Sequence, residues 1–291
     1  MQFITKDSYY IIIFTLIILY FSYVIFENSI VDDNYLNFSI IQQHENNLNE
    51  RQNNIDILIV GGSNAFYGLS AEQMTKEIDM NVYNLSLAHE GYSLSNYVNY
   101  LDSTVQNKDQ IHLILISSLK YFDFYIEEEP NKNLYGISTI TFYPKKSFLK
   151  RIYEFFREND EINKLKFNKY GDLMFEHLNC EYKALETQQT EISFLSHQYI
   201  DEMSKKLNEK FVNADLIFLL PPFYQNKLKY SKNIDVLSNT SIKKGHFLYI
   251  EEDFYSKEVM CHDNHHPNAI GRKIRTKKII DLVKNQKILN N

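Results

Sequence analysis

The 291-residue sequence predicts an α/β fold, with a parallel sheet between two helical layers. Three observations predict it. Short apolar runs recur at Ile55–Val60, Val82–Leu87, Ile111–Ser117 and Asp215–Leu220. Segments with helical spacing lie between or after them, near Ala71–Ile78, Leu94–Val105 and Ala269–Val283. The run at Ile111–Ser117 is almost continuously apolar, as strands buried on both faces are. Alternation of this kind builds a three-layer α/β/α sandwich. Ligands of such sheets bind beyond the carboxyl ends of the strands.

Before the domain the chain has a different character. Residues 9–26, YYIIIFTLIILYFSYVIF, form an eighteen-residue run without charge. That is close to the ~20 residues a helix needs to cross a bilayer, and tyrosines flank it as interfacial residues do. The run ends in Val-Ile-Phe-Glu-Asn, with no small-x-small cleavage site, so an uncleaved transmembrane helix is expected rather than a signal peptide. Lys6 precedes the run and no Lys or Arg follows until Arg51. The positive-inside rule then places residues 1–8 in the cytoplasm and the rest of a single-pass chain outside it. Residues 27–54, rich in Asn, Gln, Glu and Asp, read as a polar stalk, helical in part, between membrane and domain. Residues 55–291 read as one domain.

Each element of that domain has its own signal. Ile55–Val60 is the first strand, and it stops at Gly61-Gly62-Ser63. Ser70-Ala-Glu-Gln73 is a capping box opening the next helix. Val82–Leu87 is the second strand, followed by the helix near Leu94–Val105 and the third strand, Ile111–Ser117. Residues 120–210 interrupt the rhythm with an acidic run, Glu127–Glu129, and an aromatic and basic stretch. They read as an insertion over the ligand end of the sheet, with a helix near Phe194–Phe211. Asp215–Leu220 is the fourth strand, stopped by Pro221-Pro222, and Phe247–Ile250 is a fifth. Ala269–Val283 is the last helix.

Composition excludes several functions. Net charge is −6, and no basic patch with interleaved aromatics marks a nucleic-acid interface. The 22 tyrosines suit glycan contacts, but half-buried packing is their commoner use. The two cysteines, Cys180 and Cys261, are too few for a disulfide scaffold and lack metal spacing. His262, Asp263, His265 and His266 offer zinc-type donors. Four donors within five residues do not wrap one ion, so no metal is expected, and no cofactor.

The chemistry-bearing residues fall at two places. Ser63 stands on a strand-to-helix turn, where a hydroxyl is lifted clear of the sheet edge beside backbone N–H groups. Cys261-His-Asp-Asn-His-His-Pro-Asn-Ala-Ile-Gly271 places Asp263 and His266 three apart, just before the last helix. A serine nucleophile needs a base, and the base needs a carboxylate to fix its tautomer. One Asp-x-x-His turn supplies both.

Together the two blocks resemble the SGNH (GDSL-like) hydrolase superfamily, in which the serine follows the first strand and an Asp-x-x-His-Pro-Asn-type block precedes the last helix. The likeness follows the order of elements over residues 55 to 285 and is specific in these two blocks. It implies Ser63 as nucleophile, His266 as base and Asp263 as its orienting carboxylate, with the neighbouring His265 as the rival base. It implies an oxyanion hole from the Ser63 N–H and Gly91, in the loop after the second strand, with Asn64 as a further candidate donor. Two positions depart from the family. Gly62 stands where it has Asp, and Ser117-Ser-Leu-Lys-Tyr-Phe-Asp123 replaces its Gly-x-Asn-Asp-like block. Such departures resemble divergent membrane-anchored members that act on cell-envelope polymers. The implied function is a serine esterase or O-acyltransferase acting outside the cytoplasm on an envelope or capsular glycan. Its partners would be the acylated glycan or another acyl-ester substrate, the membrane, and an integral-membrane acyl donor. The alternative is a non-catalytic SGNH-like domain that binds glycan or scaffolds an envelope assembly.

Overall fold

The computed structural model describes residues 14–15, 17–20, 34–50, 54–88, 94–118, 165–175, 190–192, 197–222, 228–230, 246–249, 255–261 and 266–285. The chain runs α1 (Asn34–Glu50), β1 (Ile57–Gly61), α2 (Ser63–Gly68), α3 (Ala71–Ile78), β2 (Val82–Asn84), α4 (Leu94–Thr104), β3 (Leu113–Ser117), β4 (Thr190–Ile192), α5 (His197–Lys210), β5 (Asp215–Leu219), β6 (Leu228–Tyr230), β7 (His246–Tyr249) and α6 (Ala269–Asn285).

Five strands form one sheet in the order β2-β1-β3-β5-β7, and every neighbouring pair is parallel. A separate parallel pair, β4 with β6, was not expected from the sequence. The period-two alternation of each strand feeds two cores. Leu58, Val60, Ile114, Ile116, Leu216 and Phe218 point to one face, with Tyr97 and Leu101 of α4 and Met203 and Leu207 of α5. Ile57, Ile59, Leu113, Leu115, Ile217 and Leu219 point to the other, with Met74 of α3 and Ile279, Ile280 and Val283 of α6. Burying each such side chain contributes about 1.5–3 kcal/mol. These two cores make the central strands nearly continuous in apolar residues, as predicted for Ile111–Ser117.

The expected stalk is corrected over residues 34–50. They form a helix whose Ile40, Ile41, His44 and Leu48 lie at i, i+1, i+4 and i+8 and are fully buried, three of them in the main core. Scattered Asn and Gln hid this stripe, because a single helical face needs few apolar residues. α1 therefore belongs to the domain.

Most of the uncharged run 9–26 lies outside the described residues. Its described part is helical, with Phe14, Ile17, Ile18, Leu19 and Tyr20 exposed. Among the described residues no helix is long and apolar enough to cross a membrane.

Of the 120–210 insertion, residues 165–175 are a small antiparallel turn, with Phe167 bridged to Leu173. It covers the edge strand β2, where the Asn84 N–H donates to the Tyr170 carbonyl at 2.9 Å. Gly171 has φ +77°, and a Cβ there would stand 2.2 Å from the Asn84 carbonyl oxygen, so only glycine allows this approach. Residues 120–164 of that insertion lie outside the described residues.

Candidate active site at the carboxyl ends of the strands

The strand order reverses between β1 and β3, so the crevice beyond Gly61 and Ser117 is the topological switch point where doubly wound sheets take their ligands. The turn after β1 is held from every side. Gly61 has φ +133°, and a Cβ there would fall 1.9 Å from the Ser117 carbonyl oxygen. The Gly61 N–H donates to the Tyr97 hydroxyl at 2.6 Å, and that hydroxyl donates back to the Gly61 carbonyl at 3.2 Å. The Leu87 N–H reaches the same carbonyl at 3.0 Å, and the Gly62 N–H donates to the Ser117 carbonyl at 3.2 Å.

Ser63 follows as the first residue of α2, with Gly62 extended at the N-cap. The expected turn serine is thus helical, and it is half-buried. Asn64 is fully buried, with its carbonyl accepting from Arg275 at 2.9 Å. Asn64 thus sits in the turn directly after Ser63, with its backbone held from α6.

The C-terminal block is pinned by its own residues. The Cys261 N–H donates to the His266 carbonyl at 2.6 Å, and Met260 pairs with Pro267. The Asn268 side chain caps α6, accepting from the Ile270 and Gly271 N–H groups at 3.0 and 3.1 Å, while its amide donates to the Glu258 carbonyl at 2.7 Å. Gly271 lets α6 approach, since a Cβ there would meet the Val259 carbonyl oxygen at 2.2 Å. The His-Pro-Asn sequence therefore closes a loop and starts a helix at once. The His266 ring emerges half-buried against Tyr67, with ring centroids 4.9 Å apart. Tyr67 is four residues after Ser63, so its side chain lies one helical turn from the serine on the same face. The structure thus brings the His266 ring to the helix that carries Ser63. Asp263, His265 and His262 lie outside the described residues, as does Gly91.

Four residues that the sequence did not mark shape this region. Arg275 of α6 is fully buried. It donates to the Asn64 carbonyl, to the Ser117 hydroxyl at 3.1 Å and to the Leu220 carbonyl at 2.7 Å. Its signal was an arginine inside the i, i+4 stripe Gly271, Arg275, Ile279, Val283. Asp172 is buried at the start of α3, accepting from the Ser70 hydroxyl and from the Ala71 and Glu72 N–H groups at 2.7–2.9 Å. Burial pushes its carboxyl above the usual range, against the lowering effect of Arg272 and of these donors. Ser70 caps Gln73 as the sequence predicts, but the return bond of the box is replaced: the Ser70 N–H donates to Thr276, and the Gln73 amide to Glu77. His44 is buried between the Tyr83 hydroxyl and the Ser86 carbonyl, and burial lowers its pKa to about 4. Tyr97, the fourth, was legible only as a core tyrosine.

Cys261 is buried and disulfide-bonded, and the chain has one other cysteine, Cys180. Among the described residues no cluster of His, Cys, Asp or Glu is arranged to hold a metal ion.

No protein-family model matches the chain, and no curated protein does. Among solved structures, an acetyl xylan esterase (Est2A) from the rumen bacterium Butyrivibrio proteoclasticus is similar at 13% identity and a TM-score of 0.34. The match covers 79% of this chain and 63% of that one, so the chain spans less than two thirds of that structure. A likeness of this size assigns neither a family nor a chemistry.

Proposed function

We propose that the protein is a serine acyl-ester hydrolase or O-acyltransferase, with Ser63 as nucleophile. One observation carries it: Ser63 opens a helix at the switch point of a parallel sheet, and the His266 ring lies against Tyr67 one turn along the same helix. A hydroxyl in that place needs only a base and oxyanion donors to attack an ester. Its oxygen bonds to the acyl carbon while its proton passes to the neutral His266 ring. Asp263 holds the tautomer, and the Ser63 N–H, with Gly91, faces the oxyanion. Collapse expels the alcohol, which leaves with the proton from His266. Water then gives an esterase; a sugar hydroxyl gives a transferase.

The apolar run 9–26 and Lys6 support a single-pass anchor with the domain outside the cytoplasm. The Cys261 disulfide suits an oxidising compartment. An envelope or capsular glycan is the substrate this location favours, with an integral-membrane acyl donor if the enzyme is a transferase.

The Ser117-Ser118 sequence at the end of the third strand, in place of a Gly-x-Asn-Asp-like block, favours a second function, glycan binding without turnover. Intact-protein mass spectrometry after exposure to an activated acetyl ester separates the two. An acetyl adduct that vanishes in Ser63→Ala is the expected result. No adduct on folded protein across several acyl donors, with glycan binding unaffected by Ser63→Ala, refutes the enzyme.

A further inference from the structure

We infer that Arg275 is a positioning residue that fixes the nucleophile turn in register with the base loop, a role that rests on the acyl-transfer function proposed above. Its guanidinium reaches three acceptors from three different chain segments: the Asn64 carbonyl in the first turn of α2, the Ser117 hydroxyl at the end of β3, and the Leu220 carbonyl beyond β5. All three lie at the carboxyl ends of the strands, where the sheet ladder stops and carbonyls need donors from elsewhere. The planar fork of an arginine serves several such acceptors at once, which the point charge of a lysine does not.

The packing is built around this contact. Arg275 is fully buried, and an apolar side chain of similar volume would avoid the cost of burying a charge. Gly68, the last residue of α2, leaves the space it occupies: a Cβ at Gly68 would stand 2.4 Å from Arg275 Nη1. Arg275 also sits on the helix whose N-cap residue, Asn268, follows His266 and Pro267. From Ala269 to Arg275 is six residues, about 9 Å of helix. One rigid rod thus carries the base loop at its start and grips the backbone of the serine turn two turns later. Any slip of α6 against α2 moves His266 relative to Ser63, and a misplacement of about 1 Å can cost on the order of a hundredfold in rate.

The test compares the full-length chain with Arg275→Lys and Ser117→Ala, the second removing one acceptor and leaving the buried charge in place. Two quantities are read. One is the rate of Ser63 acylation by a fluorophosphonate probe, resolved into probe affinity and the maximal rate. The other is hydrogen–deuterium exchange of the peptide spanning 61–69, which is independent of activity. Arg275→Lys should slow the maximal rate about a hundredfold, and Ser117→Ala about tenfold, with probe affinity nearly unchanged. Exchange should rise in 61–69 and stay as in the wild type in β5. Wild-type labelling rate and wild-type exchange in folded Arg275→Lys overturn the inference. If Arg275→Lys does not fold, Ser117→Ala with both readouts unmoved overturns it equally. If the wild-type protein takes no probe at all, the hydrolase function fails, and faster exchange confined to 61–69 in the variants still supports the positioning role, while unchanged exchange refutes it.

Discussion

Acid should loosen this domain through His44. The ring is fully buried on α1, with Nδ1 3.1 Å from the Tyr83 hydroxyl, Nε2 3.2 Å from the Ser86 carbonyl, and the Phe167 ring packed against it, tilted by 53°, at a centroid distance of 5.1 Å. Burial lowers its pKa from 6.5 to about 4. The folded state therefore binds fewer protons than the unfolded chain between those values. Stability is fully present above the unfolded value near 6.5 and is lost as pH falls toward 4. The difference of 6.5 − 4 is worth about 3 kcal/mol in all, of which about 2 kcal/mol is lost by pH 5. For a domain of this size about 2 kcal/mol corresponds to a fall of about 4–8 °C in Tm. The assay is thermal unfolding by far-UV circular dichroism from pH 7.5 to 4.5, for the full-length protein and for His44→Gln. The chain has no tryptophan, so indole fluorescence does not serve. His44→Gln should be less stable at pH 7.5, and the gap between the two proteins should close by most of that amount on reaching pH 5. A gap that stays constant with pH would refute the assignment of the acid sensitivity to His44.

Three further outcomes follow from the geometry. Gly61→Ala should destabilise by at least about 3 kcal/mol, since it adds a Cβ to a residue at φ +133° against a backbone oxygen 1.9 Å away; chemical denaturation reads this directly. Asp172→Ala should cost about 2–4 kcal/mol by stranding the buried Ala71 N–H and the half-buried Ser70 and Glu72 donors, with Asp172→Asn milder. Because burial raises the folded pKa of Asp172, its own pH term runs opposite to that of His44: it favours the fold at low pH and fades as pH rises through the folded value, which denaturation midpoints of Asp172→Asn across pH should show. His266→Ala should lower the rate of Ser63 acylation by several orders of magnitude while His265→Ala spares most of it, and mass spectrometry of the acyl adduct checks both.

Much of this molecule was decided locally and could be read from the chain. The central strands are nearly continuous in apolar residues because both faces are covered, so β1, β3 and β5 declared themselves without any contact being known. Ser70 and Gln73 announced the start of α3, and Gly61-Gly62-Ser63 marked the end of β1, because caps and tight turns depend on residues a few places apart. Asp263 and His266 were singled out by their spacing, and of the two only His266 lies among the described residues. Other features needed the fold. α1 looked like a spacer because a helix with one buried stripe can be polar at most positions. Arg275 carried no mark of its own in the last helix, and Asp172 fell within the expected insertion; each gains its role from partners about 50 to 210 residues away. Sequence determines which segments bury themselves and which turns the backbone can make. Only the tertiary structure decides which distant carbonyls a buried guanidinium reaches, or which helix N-terminus a buried carboxylate caps, since long-range hydrogen bonding leaves no periodicity in the chain.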